Sequence, residues 1–308
     1  MVSMSAGKFR GLCRISDDRG RFLMLALDQR NSLRKMLRER WGKEDDEMIK
    51  MVKRSILKVL SPRVSAVLVD PEYAYPHLAN YIDPRTGVIL SVEKSGYFED
   101  EKFPNERRNE LLYDGIVEDA KRWGCDAVKL LIYWNDEVSE NTMEHQKELV
   151  RMVGGSADSK DIVFILEILT YGSRKGEAEL ILSALREFSK DEYHVDLFKI
   201  EPLKNTTKEK VETAVSGKPW VILSGGVDID IFEKKLIQNV ELGSSGVLAG
   251  RVVWKKIIDY SDTELMELHL EKTGVGIVER MGRIVEIGQS WYECGSFGGF
   301  ENILIVSE

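Results

Sequence analysis

The sequence predicts an α/β protein with a (β/α)8 TIM-barrel fold, because of its apolar runs, the helical stretches between them and its length. Eight short runs are almost uniformly apolar, as parallel strands covered on both faces are. Eight such strands with mostly helical crossovers in 308 residues fit a closed barrel. An open doubly wound sheet is the alternative, but no GxGxxG motif follows the first run. The runs are FLMLAL (22–27), SAVLVD (65–70), VILSVE (88–93), DAVKLLIYW (126–134), IVFILEIL (162–169), VDLFKIE (195–201), PWVILS (219–224) and SGVLAG (245–250).

Amphipathic stretches between these runs predict the crossover helices, since their apolar residues recur at helical spacing. Glycines close two of them, as a helix C-cap often does. The connection between the second and third runs is too short for a standard helix, and we expect an irregular segment there. The predicted helices are 45–60, 108–124, 176–188 and 228–243.

The segment after the eighth run predicts C-terminal helices and a tail. One helix opens with a capping-box pattern, Ser261 to Glu264, and a second, at 274–291, is expected to close the barrel. The tail, 293–308, is glycine-rich and then strand-like, and the sequence assigns it no role. We expect residues 1–308 to form a single domain.

Composition excludes several function classes. Lys and Arg number 44 against 52 Asp and Glu, a net charge of −8, and no basic tract stands out, which argues against nucleic acid. No apolar run suits a signal peptide or a membrane span, so we expect a cytoplasmic protein that binds no membrane. Three widely spaced cysteines (Cys13, Cys125 and Cys294) are expected to be free thiols. The four histidines show no paired spacing, and we expect neither a metal nor a cofactor.

Polar residues stand at or near the C-terminal ends of the eight runs, where the loops of a barrel form one mouth. We expect them to surround one cavity, although any single carboxylate could be a solvated strand end. They are Asp28, Asp70, Glu93, Lys129, Glu167, Lys199, Ser224 and Arg251.

Lys199 is the most informative of these residues, because apolar residues flank it and alternation directs it into the barrel. Burial and a second cation, Lys129, favour a neutral amine, which can attack a carbonyl and form a Schiff base. A structural ion pair with Glu201 or Glu167 explains the same lysine equally well. The two interpretations remain open at this point.

The last two runs predict an anion site. Ser224, Gly225 and Gly226 precede a helix that starts near Asp228, and Gly250–Arg251 follows the eighth run. Bare backbone N–H groups, a helix N-terminus and a guanidinium suit a phosphate, which barrels of this kind bind at this position.

Seven motifs, in this order, resemble the class I tagatose 1,6-bisphosphate aldolase family and the related sulfofructosephosphate aldolases. The resemblance runs from about residue 20 to 256 and implies a (β/α)8 barrel with a Schiff-base lysine and no metal. The motifs are LALDQRNSL (25–33), LVDPEY (68–73), DAVKLLIYW (126–134), FILEIL (164–169), LFKIEPL (197–203), PWVILSGGVD (219–228) and GVLAGRVVW (246–254).

The resemblance also implies roles for the residues already named. Lys199 matches the Schiff-base lysine, Glu167 the acid/base carboxylate, and Asp28 and Lys129 the polar residues that flank the reacting carbons. Arg30 is our candidate for the C6 anion. The residues that match the C1-phosphate site are Ser224, Gly225, Gly226, Gly250 and Arg251.

The sequence therefore predicts a metal-independent aldolase that cleaves a ketohexose 1,6-bisphosphate, with tagatose 1,6-bisphosphate favoured, and that forms a homo-oligomer. Cleavage of sulfofructose 1-phosphate is one alternative, and a non-catalytic, regulatory sugar-phosphate-binding barrel is the other. Two departures from the family leave the sugar open: the segment 172–194 is short, and the tail FGGFENILIVSE has no counterpart.

Overall fold

Eight parallel strands close into a barrel, which confirms the predicted fold class. The computed structural model describes residues 2–43, 45–172, 174, 176–295 and 297–306. Around the barrel the order is β10-β11-β2-β3-β4-β7-β8-β9, and β1 pairs with β12 and β5 with β6 outside it. The strands are β1 (Val2–Ser5), β2 (Phe22–Leu27), β3 (Ala66–Val69), β4 (Gly87–Ser91), β5 (Phe98–Asp100), β6 (Phe103–Arg108), β7 (Ala127–Trp134), β8 (Val163–Thr170), β9 (Leu197–Ile200), β10 (Trp220–Ile222), β11 (Gly246–Ala249) and β12 (Ile303–Val306).

The helices pack around the barrel, and three of the four predicted crossovers are confirmed, at 45–60, 176–188 and 228–243. The short connection between β3 and β4 is irregular apart from one 3-10 turn, as expected. The helices are α1 (Ala6–Ile15), α2 (Asn31–Trp41), α3 (Asp46–Leu60), α4 (Ile116–Arg122), α5 (Glu140–Ser159), α6 (Glu177–Phe188), α7 (Lys208–Val215), α8 (Ile229–Glu241), α9 (Arg251–Trp254), α10 (Thr263–His269) and α11 (Val275–Val285).

The predicted helix at 108–124 is wrong over its first half. Arg108 ends β6 and is buried, and the next residue, Asn109, accepts from the Tyr133 N–H and donates to the Gly96 carbonyl. These contacts with distant segments satisfy the backbone and side chains that a helix would use, so α4 begins only at Ile116. Tertiary hydrogen bonds outweigh the helical spacing here.

The C-terminal region differs from the prediction in two details. The Ser261 to Glu264 capping box is wrong, because the side chain of Asp262 accepts from the Leu265 N–H and caps α10. The helix predicted at 274–291 is shorter, since α11 ends at Val285. Its apolar face packs against α8 and β2 outside the barrel.

Alternation along the strands divides the core into two layers. Residues such as Met24, Leu68 and Leu197 fill the barrel interior, whereas Phe198 and Ile200 pack outward against the helices. Lys199 lies between those two in the strand and therefore points inward, as the pattern predicts. The inner layer is the floor on which the polar strand ends rest.

The two ends of the described chain meet at the N-terminal end of the barrel. Helix α1 buries Leu12 and Ile15 against the inner layer, and Trp291 packs beside them. Strands β1 and β12 pair in parallel, Val2 opposite Ile303. Neither β1 nor α1 is evident from the sequence, and the pairing gives the tail a structural role. That residues 1–308 form one domain stays a prediction.

A buried ion pair fastens α3 to the barrel. The Lys53 ammonium, with no solvent exposure, contacts the Asp70 carboxylate and donates to the Leu27 carbonyl at 2.6 Å. Asp70 also accepts from the Tyr73 N–H at 2.7 Å. The pair thus joins the helix to the C-terminal ends of β2 and β3.

No helix within the described residues is both long and apolar enough to cross a membrane.

Replacing Lys53 with methionine tests this fastening. We expect Lys53→Met to lower the free energy of unfolding by about 3–5 kcal/mol, because the Asp70 carboxylate is left buried without its partner. Urea unfolding followed by circular dichroism measures the change. The matched control is Lys50→Met, whose ammonium pairs with Glu47 on the exposed side of the same helix, and we expect it to leave the unfolding transition almost unchanged. Equal losses in the two variants would show that the buried pair does not stabilise the fold.

Candidate active site

A cavity of about 520 Å³ opens at the C-terminal end of the barrel, and most of the predicted site residues line it. Lys129 is different, because it is fully buried beneath the cavity floor. Gly226 lies behind the lining, against the Arg251 side chain. Asp70 does not belong to the cavity, since its side chain turns away to Lys53. The lining includes Asp28, Arg30, Glu93, Glu167, Lys199, Ser224, Gly225, Gly250 and Arg251.

Lys129 holds three carboxylates around one ammonium group. Its Nζ lies 2.7 Å from Asp28 Oδ2, 2.5 Å from Glu93 Oε1 and 3.3 Å from Glu167 Oε2. Burial would lower the pKa of this ammonium, but the three carboxylates outweigh it and raise the pKa above its usual value. Lys129 is therefore a fixed positive charge.

The same contacts act on Asp28 in the opposite direction. Burial would raise the pKa of its carboxyl group, but Lys129, and after it Lys199, bring that pKa well below the usual value. Asp28 is therefore ionised, and it can accept a hydrogen bond from a substrate hydroxyl without taking up its proton.

Lys199 extends into the cavity from β9 and meets Glu167 on the neighbouring strand. The two residues are register partners, and Lys199 Nζ lies 2.8 Å from Glu167 Oε2. Glu201, the other candidate partner, instead accepts from the backbone and hydroxyl groups of Thr170. Lys199 is only 3% exposed, yet it lines the cavity, so its amine is shielded from bulk water and open to a ligand.

Glu167 stands between two lysines of different character. One of its oxygens, Oε2, faces both the fixed charge of Lys129 and the amine of Lys199. A proton can pass between Lys199 and Glu167 while the total charge of the cluster stays the same. The cavity floor therefore places an amine and a carboxylate within hydrogen-bond distance of each other, an arrangement that general acid–base and nucleophilic chemistry require.

The loop after β10 is shaped for close approach of a ligand to its backbone. Gly225 and Gly226 have φ values of +61° and +79°, which favour glycine, and the Lys255 ammonium donates to the Gly226 carbonyl at 2.9 Å. Across the gap, a Cβ on Gly250 would lie 2.2 Å from the Ala26 carbonyl oxygen, so only glycine fits. The arrangement keeps bare backbone facing the cavity.

Arg251 adds a positive charge beside this loop. Its guanidinium packs against Gly226, where a Cβ would lie 3.4 Å from Cζ. It forms no ion pair or hydrogen bond with any residue that the structure describes. The Ser224 side chain and this guanidinium line the same part of the cavity, which suits a phosphate dianion.

Arg30 also lines the cavity, but most of its donors are engaged. It is 4% exposed; Nη1 lies 2.5 Å from Glu72 Oε2, and Nη2 donates to the Glu93 carbonyl at 2.6 Å. Only Nε has no partner among the described residues. The structure thus gives Arg30 a part in holding the cavity wall.

Two features of the site, a contact of Glu93 and the position of Tyr133, are not predicted above from the sequence. Glu93 appeared only as a polar strand end, although it is the closest partner of Lys129, and only the barrel register reveals the contact. Tyr133 belongs to an apolar run of the sequence, yet it lines the cavity. Its position two residues beyond Leu131, which also lines the cavity, is a signal that alternation could have provided.

Histidine, cysteine and carboxylate side chains form no group of three or more that could hold a metal ion, as far as the described residues extend.

Residues 22–256 match the family described as DeoC/LacD family aldolase. The chain belongs to this family. The match starts at β2, continues past β11 and so covers the whole barrel, and it includes every residue that lines the cavity.

Two sequence relatives carry the name tagatose 1,6-diphosphate aldolase. Tagatose 1,6-diphosphate aldolase 2 of Enterococcus faecalis is 33% identical over 288 residues, which cover 83% of this chain and 85% of the relative. Tagatose 1,6-diphosphate aldolase of Listeria innocua is 30% identical, with both chains covered in full.

Solved structures share the fold of the aldolase. A Schiff base forming fructose-1,6-bisphosphate aldolase superposes with a TM-score of 0.61 and 19% identity, covering 90% of this chain and 99% of the other. Fructose-bisphosphate aldolase from Plasmodium falciparum gives a TM-score of 0.65 at 14% identity, covering 93% and 95%.

Lys129→Met tests the fixed charge through the pH dependence of stability. In the parent, the folded-state pKa of Asp28 is lowered, so its contribution to stability is lost as pH falls. In the variant, Lys199 and Lys53 remain but the largest opposing charge is gone, and we expect burial to raise that pKa above its unfolded value. The free energy of unfolding should then fall as pH rises through the window between the two values. We expect a loss of about 3–5 kcal/mol at pH 8 and a smaller loss at pH 5, measured by urea unfolding.

The control for this experiment is Lys94→Met, which removes an exposed lysine paired with Glu110 at the rim. We expect it to change stability by less than about 1 kcal/mol at either pH. A Lys129→Met loss of the same size at both pH values would contradict the fixed-charge interpretation.

Proposed function

We propose that the protein is a Schiff-base aldolase that cleaves a ketohexose 1,6-bisphosphate, with tagatose 1,6-bisphosphate favoured, to dihydroxyacetone phosphate and glyceraldehyde 3-phosphate. The observation that carries the proposal is the shielded amine of Lys199, 2.8 Å from Glu167 at the floor of a cavity that also holds an unpaired guanidinium. The names of the two sequence relatives support the choice of sugar.

The reaction starts at Lys199, which attacks the C2 carbonyl of the substrate as a neutral amine. Glu167 takes the ammonium proton first, then delivers a proton to the carbinolamine hydroxyl, which leaves as water. The product is an iminium, whose positive nitrogen can accept the electron pair of a breaking bond.

Cleavage follows when a base removes the proton of the C4 hydroxyl and the C3–C4 bond breaks. The bond electrons enter the iminium and form an enamine, and the aldehyde product departs. Glu167 is the base within reach of the amine, while ionised Asp28 accepts hydrogen bonds from the sugar hydroxyls. Lys129, beneath the floor, holds both carboxylates in place. Protonation of the enamine and hydrolysis release dihydroxyacetone phosphate and restore Lys199.

The C1 phosphate binds at the opposite wall, to Arg251, Ser224 and the amides of Gly225 and Gly250, with Gly226 behind them. This anchor sets the distance between the phosphate and the amine, so that C2 meets Lys199 Nζ. Membership of an aldolase family argues against the regulatory alternative. A homo-oligomer and a cytoplasmic location stay predictions.

Trapping identifies the nucleophile. With dihydroxyacetone phosphate and borohydride, we expect a covalent adduct at Lys199, located by peptide mass spectrometry, and lasting loss of activity. Lys199→Met is expected to abolish both adduct and turnover, because methionine has no amine. The matched control is Lys204→Met, which removes a lysine paired with Glu177 at the surface; it is expected to retain both.

Turnover measurements test whether the reaction is independent of metal and which sugar is the substrate. Turnover is expected to survive exhaustive chelation, and to be fastest on tagatose 1,6-bisphosphate when fructose 1,6-bisphosphate and sulfofructose 1-phosphate are tested beside it. Full activity of Lys199→Met, or loss of activity that zinc restores, would reject the Schiff-base reaction.

Arg251→Ala separates phosphate binding from chemistry. We expect kcat/KM to fall roughly a hundredfold, because paired charge-assisted hydrogen bonds to the C1 phosphate are lost. This factor corresponds to a loss of about 3 kcal/mol of transition-state stabilisation. Much of the loss should appear in KM, since the phosphate is bound before and during the reaction. Arg251→Lys keeps the charge without the planar fork, so we expect an intermediate loss.

The control for Arg251 is a substrate that lacks the C1 phosphate. Its slow turnover is expected to change little in Arg251→Ala. A variant that slows both substrates equally would place the phosphate site elsewhere.

A further inference from the structure

A β-hairpin formed by β5 and β6 stands at the mouth of the cavity. Two side chains of its second strand bind the start of α5. Glu106 accepts from the Ser139 N–H at 2.9 Å, and Arg108 donates to Asn141 at 2.7 Å, both at the start of α5. Alternation then places the side chain of Arg107, between them, on the opposite side of the strand.

Three tyrosines surround the Arg107 guanidinium on that side. Its Cζ lies 4.6 Å from the ring centre of Tyr97, 5.3 Å from that of Tyr133 and 4.7 Å from that of Tyr171. The Tyr171 hydroxyl also accepts from the Arg107 backbone N–H at 2.8 Å. Such ring contacts orient a guanidinium and leave its charge in place.

Arg107 makes no ion pair with any residue that the structure describes, unlike its cationic neighbours Lys94 and Arg30. Lys94 lies 2.7 Å from Glu110, and both Nη groups of Arg30 are engaged. Arg107 therefore carries the positive charge that is available on this wall.

The position of the hairpin is opposite the proposed C1-phosphate site. Tyr133, which touches Arg107, lines the cavity, as does Gly96, which directly precedes Tyr97. Tyr133 lies near the C-terminal end of β7, and Gly96 follows β4. In the closed barrel these two strands lie across from β10 and β11. A substrate anchored by one phosphate beside Arg251 therefore points its other end toward the hairpin.

The Tyr133 hydroxyl is a second available group. It forms no hydrogen bond with the described residues. Burial raises the pKa of this phenol, and the positive charge of Arg107 opposes the rise. The hydroxyl thus stays protonated at neutral pH and can donate to an anion beside the guanidinium.

We propose that Arg107, held by the three tyrosines, binds the anionic group at the distal end of the substrate, with the Tyr133 hydroxyl as a second donor. This inference rests on the proposed function, and it makes the hairpin the part of the chain that distinguishes bisphosphates from monophosphates. A phosphate and a sulfonate both offer three oxygens to this pair, so the shared chemistry is a tetrahedral anion.

The test uses two non-cleavable ligands, a hexitol 1,6-bisphosphate and the matching hexitol 1-phosphate, titrated calorimetrically into the full-length protein. Neither ligand has a carbonyl, so binding is independent of Schiff-base formation. We expect the parent to bind the bisphosphate more tightly, and Arg107→Met to weaken that binding by about 10- to 100-fold while leaving the 1-phosphate unchanged. Arg107→Lys should recover part of the loss.

Lys102→Met, at the exposed turn of the same hairpin, is the control and should bind both ligands as the parent does. Unchanged bisphosphate binding in Arg107→Met would overturn the inference. So would equal weakening of both ligands, because it would mean that Arg107 only supports the hairpin. A parent that binds neither ligand would reject the proposed function itself, and this inference with it.

Discussion

The site depends on one buried ammonium group, that of Lys129. The carboxylates around it come from three other strands: Asp28 follows β2, Glu93 follows β4, and Glu167 lies within β8. Removing any member would leave uncompensated charge inside the barrel, where water cannot screen it. The contact therefore fixes the ends of four strands relative to one another, as well as the charge of the site.

This constraint explains why the two lysines of the cavity differ. Lys129 has three acidic partners and no opening to the cavity, whereas Lys199 shares one of those partners and faces the cavity. Loss of a proton from Lys199 would leave excess negative charge in the cluster unless Glu167 took it up. Lys53 adds a further positive charge that lowers the pKa of Asp28.

Much of the architecture could be predicted from the sequence, because the spacing of apolar residues and the positions of polar residues are local properties of the chain. The inward direction of Lys199 follows from its apolar neighbours, and the glycines after β10 and β11 mark the backbone that faces the cavity. The prediction that Asp70 lines the cavity is wrong because the side chain pairs with Lys53 instead. Lys53 is on a helix, and nothing in either segment shows that the two residues meet. The contact of Glu93 with Lys129 and the irregular structure of residues 108–115 cannot be predicted from the sequence either. Only the barrel register brings their partners near.

The pairing of β1 with β12 has a consequence for biosynthesis. A ribosome releases residues 2–5 long before it has made residues 303–306, so the first strand waits for its partner during nearly the whole of translation. Until then α1 can cover the base of the barrel, but its leading strand has an unpaired edge that can pair with other nascent chains. Contacts between residues this distant in sequence also form slowly. Pairing of β1 with β12 is thus a late step of folding, and it is the step that removes the open edge of β1.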